Sequence, residues 1–458
     1  VIAGIGLSWV SKLLFALWIP AGIPESILAA IVILLCNGGT LWSVAATVRF
    51  VVGEQALRRD RFEPMRLLQA SALGAFILSI AHILPFLPDG IALAAREAQQ
   101  RAVLPYLVML GIYGASILAL TAVRMIPIAV ATPFVRPSSV GFLLAVPLSL
   151  FWCLADLLLL ALFPFAYWGA LPPPVPLVPE VAVELLGSVR SSKPLVKVVL
   201  VNPRVTDGER ELLFLKSEEG QREFAEKMAG AWMASRHLPL RPGDQLLFVL
   251  PETTLFLEPS GLRALFLVLR ERLAEKIPDV SPGLLVGSQF GPANVVMWAG
   301  EQVGTRWPLA GVVKIKGRSG RVPFFERSTL GVSIRGERDE DQHSVSFDDW
   351  LPEEDLARLP SFLLPRYQLI CYEALDPRRW EMSSPRIVFT NHNLFAKYRL
   401  MSRTYDANLR LMASLFAAPL VLVGNEGATG VHSWMPRRLL QSDAMHRVEV
   451  ELLEFVVE

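Results

Sequence analysis

The sequence predicts two parts of different class: a multi-span α-helical membrane domain over residues 1–171 and an α/β domain over residues 194–458, in which sheet is covered by helices. Three observations predict it. The chain has 458 residues, 52% of them hydrophobic, and a mean hydropathy of +0.42, yet its charged residues, 19% of the total, are concentrated in the second half. Uncharged stretches of about 20 residues, enough to cross roughly 30 Å of hydrocarbon as helix, recur through the first half. Between the halves, "GALPPPVPLVPE" favours extended polyproline geometry and marks a linker at 172–193.

Taken in order, Val1 to Pro20 carries Lys12 and is either a further span or the remnant of one. Ile27 to Val48, Leu67 to Pro88 and Val103 to Val123 each read as a span. Met125 to Val135, "MIPIAVATPFV", is too short and proline-rich to cross and is expected to be interfacial or re-entrant. Val140 to Leu171 is expected to be one long tilted helix whose aromatic end, "FPFAYWG", suits a headgroup belt. It contains Asp156, either a functional intramembrane carboxylate or a hydrogen-bonding group between helices. The connection "GEQALRRDRFEPMR" holds Arg58, Arg59, Arg61 and Arg66, which places it in the cytoplasm by the positive-inside bias. Counting crossings from there, the loop around Arg96 and Arg101 is outside and the loop with Arg124 and Arg136 inside. The second half then lies on the external, periplasm-like face.

After the linker the chain changes character. Short β-rich runs, "LVKVVLVN", "DQLLFVL", "GLLVGSQF", "NVVMWAG", "YQLICY", "RIVFTN" and "PLVLVGN", take turns with the amphipathic stretches "SEEGQREFAEKMAGAWMASRH" and "LRALFLVLRERLAEKI". Such alternation means sheet covered by helices. The C-terminal "EVELLEFVVE" is too short and acidic to be a membrane helix.

A formal net charge of +1 gives no support for nucleic-acid binding. The six histidines are scattered, with no His-x-x-x-His or Cys-x-x-Cys pair, so neither a metal nor another cofactor is expected. Of three cysteines, only Cys371 lies in the charged half. Three segments there end a strand on a reactive group: "LLFVLPETTLF" brings out Glu252, "LAGVVKIKGRSGRVPFFE" Lys314 or Lys316, and "YQLICYE" Cys371. Together the three types are complementary. A carboxylate takes a thiol proton, the thiolate attacks a carbonyl, and an ammonium stabilises the oxyanion.

Pro-Glu-Thr, then a lysine ahead of Val-Pro-Phe-x-Glu, then Ile-Cys-Tyr-Glu, in this order, resembles the nitrilase (carbon-nitrogen hydrolase) superfamily, and specifically its membrane-bound apolipoprotein N-acyltransferase branch. The resemblance covers roughly Leu195 to Trp434. It implies an αββα sandwich, with Glu252 as general base, Cys371 as nucleophile and Lys316 as the oxyanion-stabilising lysine. Lys316 rather than Lys314 fits the family's distance from Asn294, although "GRSGR" intervenes before Val-Pro-Phe. Glu326, Tyr372 and Glu373 match supporting positions, and Asn391 and Asn425 would line the pocket. Plasmid conjugal-transfer proteins of the TraB type, with a membrane region ahead of a nitrilase-like domain, look similar as well.

The resemblance implies a multi-pass protein of the bacterial inner membrane that moves an acyl group from a phospholipid-like donor, through a thioester on Cys371, to an amine or lipoprotein acceptor. The alternatives are an amidase or nitrilase that hydrolyses a C–N bond, and a weakly catalytic membrane component of a conjugal-transfer apparatus. The arginine asymmetry yields a direct expectation: in intact cells an impermeant label reaches cysteines placed at Arg210 or Glu218 and fails to reach Arg58 to Arg61. Labelling of the Arg58 loop from outside would reverse the orientation.

Overall fold

In the computed structural model the described residues are 1–18, 22–57, 63–101, 103–162, 167–177, 196–202, 218–235, 245–255, 257–275, 277, 281–290, 293–301, 308–316, 347–356, 364–384, 386–391, 399–418, 420–425, 430–432, 440–441 and 451–457. They form two compact units, one made chiefly of residues 1–179 and the other chiefly of residues 180–458.

The first unit is helical: α1 (Ile2–Leu17), α2 (Ile23–Val52), α3 (Pro64–Ile83), α4 (Leu87–Arg101), α5 (Leu104–Ala131) and α6 (Ser139–Leu162). Among the described residues four helices are long and apolar enough to cross a membrane, over Ile23–Val52, Pro64–Ala92, Leu104–Ala131 and Ser139–Leu160. Their outward faces carry Leu28, Ile31, Leu107, Leu118, Leu143 and Leu158, all largely exposed, as a bilayer solvent requires. Inward, Leu41, Val44 and Ala45 of α2 meet Ala75 and Leu78 of α3, Ile128 of α5 and Trp152 of α6. Contact between α2 and α6 is close because Gly38 has no side chain; a Cβ there would lie 2.8 Å from the Val146 Cα.

Four expectations change. Met125 to Ala131 is not a separate short element but continues α5, Pro127 included; neighbouring helices tolerate a proline in this setting. The stretch around Arg96 and Arg101 is helix α4 rather than a loop. The last long segment does not run on to Leu171, since α6 ends at Leu162. The described aromatic residues at its end, Tyr167 and Trp168, form no surface belt either, being only 2% and 3% exposed.

Arg124 explains that inward turn. It belongs to no loop; it sits fully buried inside α5, with its Nη2 2.8 Å from Asp156 Oδ2 and its Nε 3.3 Å from Oδ1. It also donates to the Gly169 carbonyl and stacks 5.6 Å from the Trp152 ring. Asp156 in turn accepts the Leu171 N–H at 2.8 Å. Lys12 donates to the carbonyls of Trp168 and Gly169 at 2.9 and 2.8 Å, and Asn37 to that of Pro172 at 2.8 Å. Apolar helices thus hold a polar seat for the backbone of 168–172, and Asp156 has the helix-bonding role.

In the second unit a seven-stranded sheet runs in the order β10-β11-β1-β2-β3-β4-β5 and a four-stranded sheet in the order β6-β7-β8-β9. The strands are β1 (Val196–Asn202), β2 (Gln245–Leu255), β3 (Ser281–Phe290), β4 (Ala293–Gly300), β5 (Leu309–Ile315), β6 (Gln368–Ile370), β7 (Arg386–Asn391), β8 (Leu420–Asn425), β9 (Gly430–His432), β10 (Leu440–Gln441) and β11 (Glu451–Val457). All seven β-rich runs read from the sequence are strands, and both amphipathic stretches are helices, α7 (Glu218–Ser235) and α8 (Pro259–Ala274). The C-terminal run is a strand, antiparallel to β1.

Alternation along the strands builds the layers. Val199, Phe248, Leu284 and Met297 face α7 and α8, whose Met228, Phe266 and Leu269 close one core. Val198, Leu247, Leu285 and Val313 face the other way and meet Ile370, Phe389 and Val423 of the smaller sheet in a second core. Helix α9 (Arg399–Leu415) links the parallel strands β7 and β8. By its contacts it groups with the helical unit, where Ala407 and Leu411 pack on Phe15 and Ile33.

Removing one partner of the buried pair leaves an uncompensated charge. Asp156→Ala is expected to destabilise the helical unit by about 3–5 kcal/mol, while the double change Arg124→Met, Asp156→Leu recovers most of it. Thermal unfolding in detergent reads both; a silent Asp156→Ala would mean that the pair carries no weight.

Candidate functional site

Glu252 lies near the end of β2, where the β2–β3 register is broken: Leu250 pairs with Val286 and Leu255 with Ser288, so residues 251–254 stand opposite Gly287 alone. A bulge of this kind re-aims side chains. Glu252 is turned inward and 4% exposed. Its Oε1 accepts from Asn294 Nδ2 of β4 at 3.0 Å and from Lys316 Nζ at 3.2 Å. Lys316, 3% exposed, follows the last residue of β5 and keeps the ladder going, its N–H donating to the Asn294 carbonyl at 2.8 Å.

Cys371 directly follows β6 and opens a 3₁₀ turn, Cys371–Leu375. Its φ is +52°, one of three positive values at non-glycine residues among the described residues. For a side-chain-bearing L-residue the left-handed region costs about 1–2 kcal/mol, so surrounding contacts must hold it there. Glu373 supplies them. Its buried carboxylate accepts the Ile370 N–H at 2.9 Å and pairs with Lys314 Nζ at 2.9 Å, while Lys314 also donates to the Gln368 carbonyl. The thiol, in no disulfide, is half-buried at the edge of the inter-sheet core.

The two lysines therefore have different partners although they are two apart. Lys316 pairs within its own sheet, with Glu252; Lys314 crosses to the smaller sheet. The second pair joins the strand end that carries Lys316 to the turn that carries Cys371. Tyr372 is buried beside the thiol's backbone, at 2% exposure. Asn391 and Asn425 are the last residues of β7 and β8 and stand opposite each other in register. Cys371, Asn391 and Asn425 thus all come at the C-terminal ends of parallel strands, where binding groups collect in such sheets. Glu326 lies outside the described residues.

Sequence reasoning missed Gly287 and used Asn294 only as a ruler. A Cβ on Gly287 would lie 2.5 Å from the Pro251 carbonyl oxygen and 2.6 Å from the Glu252 Cα, so only glycine lets β3 pass the bulge. The signal was legible: a glycine inside an otherwise apolar strand, "GLLVGSQF". Among the described residues no group of three or more His, Cys, Asp or Glu could hold a metal ion. A carboxylate bonded to an ammonium suits proton transfer, and a thiol presented on a strained turn suits nucleophilic attack on a carbonyl.

The chain matches no protein-family model and no curated protein.

Gly287→Ala should displace the Glu252 backbone and destabilise the protein by about 1–3 kcal/mol, the usual cost of overpacking. Gly230→Ala is the control: on α7, with nothing within 4 Å of the new Cβ, it should be neutral or stabilising. Chemical denaturation compares them, and equal stability of the two variants would remove the close approach at the bulge.

Proposed function

We propose that the protein is a membrane-bound acyltransferase that uses Cys371 as nucleophile, Glu252 as general base and Lys316 as oxyanion-stabilising group. One observation carries this reading: Cys371 stands in a left-handed turn that the Lys314–Glu373 pair ties to the strand end where Lys316 meets Glu252. Further support comes from the likeness of the motifs to the nitrilase superfamily. Helices α7 and α8, the larger sheet and the smaller sheet also stack in the order of three layers of an αββα sandwich.

In the proposed reaction Glu252 takes the thiol proton and the thiolate attacks the ester carbonyl of a membrane phospholipid. Lys316 and the polar surroundings bear the oxyanion. Collapse breaks the C–O bond, the leaving alkoxide takes the proton back from Glu252, and the acyl group stays on Sγ as a thioester. An amine, on a lipoprotein or another acceptor, then attacks the thioester; its surplus proton passes through Glu252 to the departing thiolate. The long apolar helices favour this reading over hydrolysis of a soluble amide, because they keep the enzyme beside a substrate that cannot leave the bilayer. The proposed setting is a multi-pass protein of the bacterial inner membrane with the α/β unit on the periplasmic face, supported by the arginines of the 58–66 connection.

Full-length protein incubated with acyl-labelled phospholipid should take label onto Cys371 as a hydroxylamine-sensitive ester, and Cys371→Ala should take none. Lys316→Ala should lower the rate roughly a hundredfold, as loss of an oxyanion donor does. Lys314→Ala leaves Glu252 and Lys316 in place but strands the buried Glu373 carboxylate and unties the Cys371 turn, so it should lower stability as well as activity. Label on another residue, or full activity of Cys371→Ala, would overturn the proposal.

A further inference from the structure

The helical unit has a polar cluster that the thiol chemistry does not use. Among the described residues it contains two cations, Lys12 and Arg124, and one carboxylate, Asp156, both of whose oxygens engage Arg124. Lys12 is 7% exposed, and its two hydrogen-bond acceptors there are the carbonyls of Trp168 and Gly169. An ammonium has three N–H groups, so one donor and a net positive charge are left over. The rings of Trp9 and Phe86, 5.8 and 6.0 Å from Nζ, favour the cation but do not neutralise it. Inside an apolar bundle such a group either gives up its proton or is held charged by a nearby anion.

Lys12 also lines a narrow cleft bounded by α1, α6, α9 and the segment after α6. The other walls include Leu13, Leu157, Leu160 and Leu411, with Asn408 of α9 as a second polar group. Asn408 spends one amide hydrogen on the Thr404 carbonyl, at 2.7 Å, which leaves a second donor on the same nitrogen. Beside the cleft, α1 and α6 show Val10, Leu17, Leu154 and Leu158 on their outer faces at 46%, 45%, 53% and 60% exposure. Leu13, itself 40% exposed, belongs to both the wall and that surface. The opening is thus flanked by side chains suited to lipid.

We propose that this cleft binds an anionic phospholipid, its phosphate on Lys12 and Asn408 and one acyl chain along Leu13, Leu157 and Leu160. Charge complementarity selects the headgroup, and the apolar walls select a lipid over a free anion, which would gain nothing from them. Binding is non-covalent and independent of Cys371, so the site stands whether or not the thiol reaction does.

Native mass spectrometry of the full chain in detergent, titrated with phosphatidylglycerol, phosphatidylcholine or inorganic phosphate, tests the site. Phosphatidylglycerol should bind about tenfold more tightly than phosphatidylcholine, and Lys12→Gln should abolish that preference while Lys12→Arg keeps it. Leu157→Trp, which fills the cleft without touching the charges, should weaken both lipids. Cys371→Ala should bind as wild type does, which separates this site from an acyl-enzyme. Equal affinity for the two lipids, or a Leu157→Trp variant that binds phosphatidylglycerol unchanged, would overturn the proposal, and both readouts hold even if Lys12→Gln fails to fold. Displacement of the lipid by millimolar inorganic phosphate would assign a small-anion site instead and would equally overturn it.

Discussion

The ion pair between Lys314 and Glu373 is the contact on which the candidate site depends. It runs from a strand of the larger sheet to the turn after β6 in the smaller one, and its carboxylate is fully buried. Two charges withdrawn from water are costly unless their remaining hydrogen-bonding capacity is met. Here the Ile370 N–H and the Gln368 carbonyl meet it. Those backbone groups belong to β6, which leads directly into Cys371, so the same bonds that repay the desolvation of the pair also hold the thiol's backbone in a conformation it would not adopt alone.

The helical unit applies the same physics to a different end. Arg124, Asp156, Lys12 and Asn37 are buried among apolar helices, and between them they satisfy the backbone of residues 168–172. Irregular backbone at such depth is tolerated only where protein groups replace water. His82 completes the set, its Nε2 2.7 Å from the Ser8 hydroxyl and its Nδ1 3.0 Å from Arg124. The proposed lipid site follows from an imbalance in this cluster, in which the described cations outnumber the carboxylates.

The candidate site was legible in part. Lys316 and Cys371 each directly follow a strand and Glu252 lies inside β2 near its end, not after it as the sequence suggests; strand ends can be read from the close of an apolar run. Their surroundings could not be read in that way. The inward turn of Glu252 depends on a bulge that exists only against β3, and the role of Gly287 appears only when that neighbouring backbone is in place. Lys314 and Lys316 have the same spacing as any two residues on one strand face; which carboxylate each meets depends on a second sheet that begins more than fifty residues further along.

By itself the sequence determined the two-part architecture, the four long apolar helices and the strand and helix runs of the second half. These are set by local period and by the thickness of the medium, and composition records both. Tertiary structure decided what depends on distant partners. Arg124 looked like a loop charge until Asp156, 32 residues on, gave it a reason to be buried. Tyr167 and Trp168 looked like an interfacial belt until the polar seat behind them drew the chain inward. The C-terminal strand β11 has its partner in β1, and α9 groups with the helical unit rather than with the strands that neighbour it in sequence. In each case the free energy comes from desolvation and packing between segments far apart in the chain, which no local window contains.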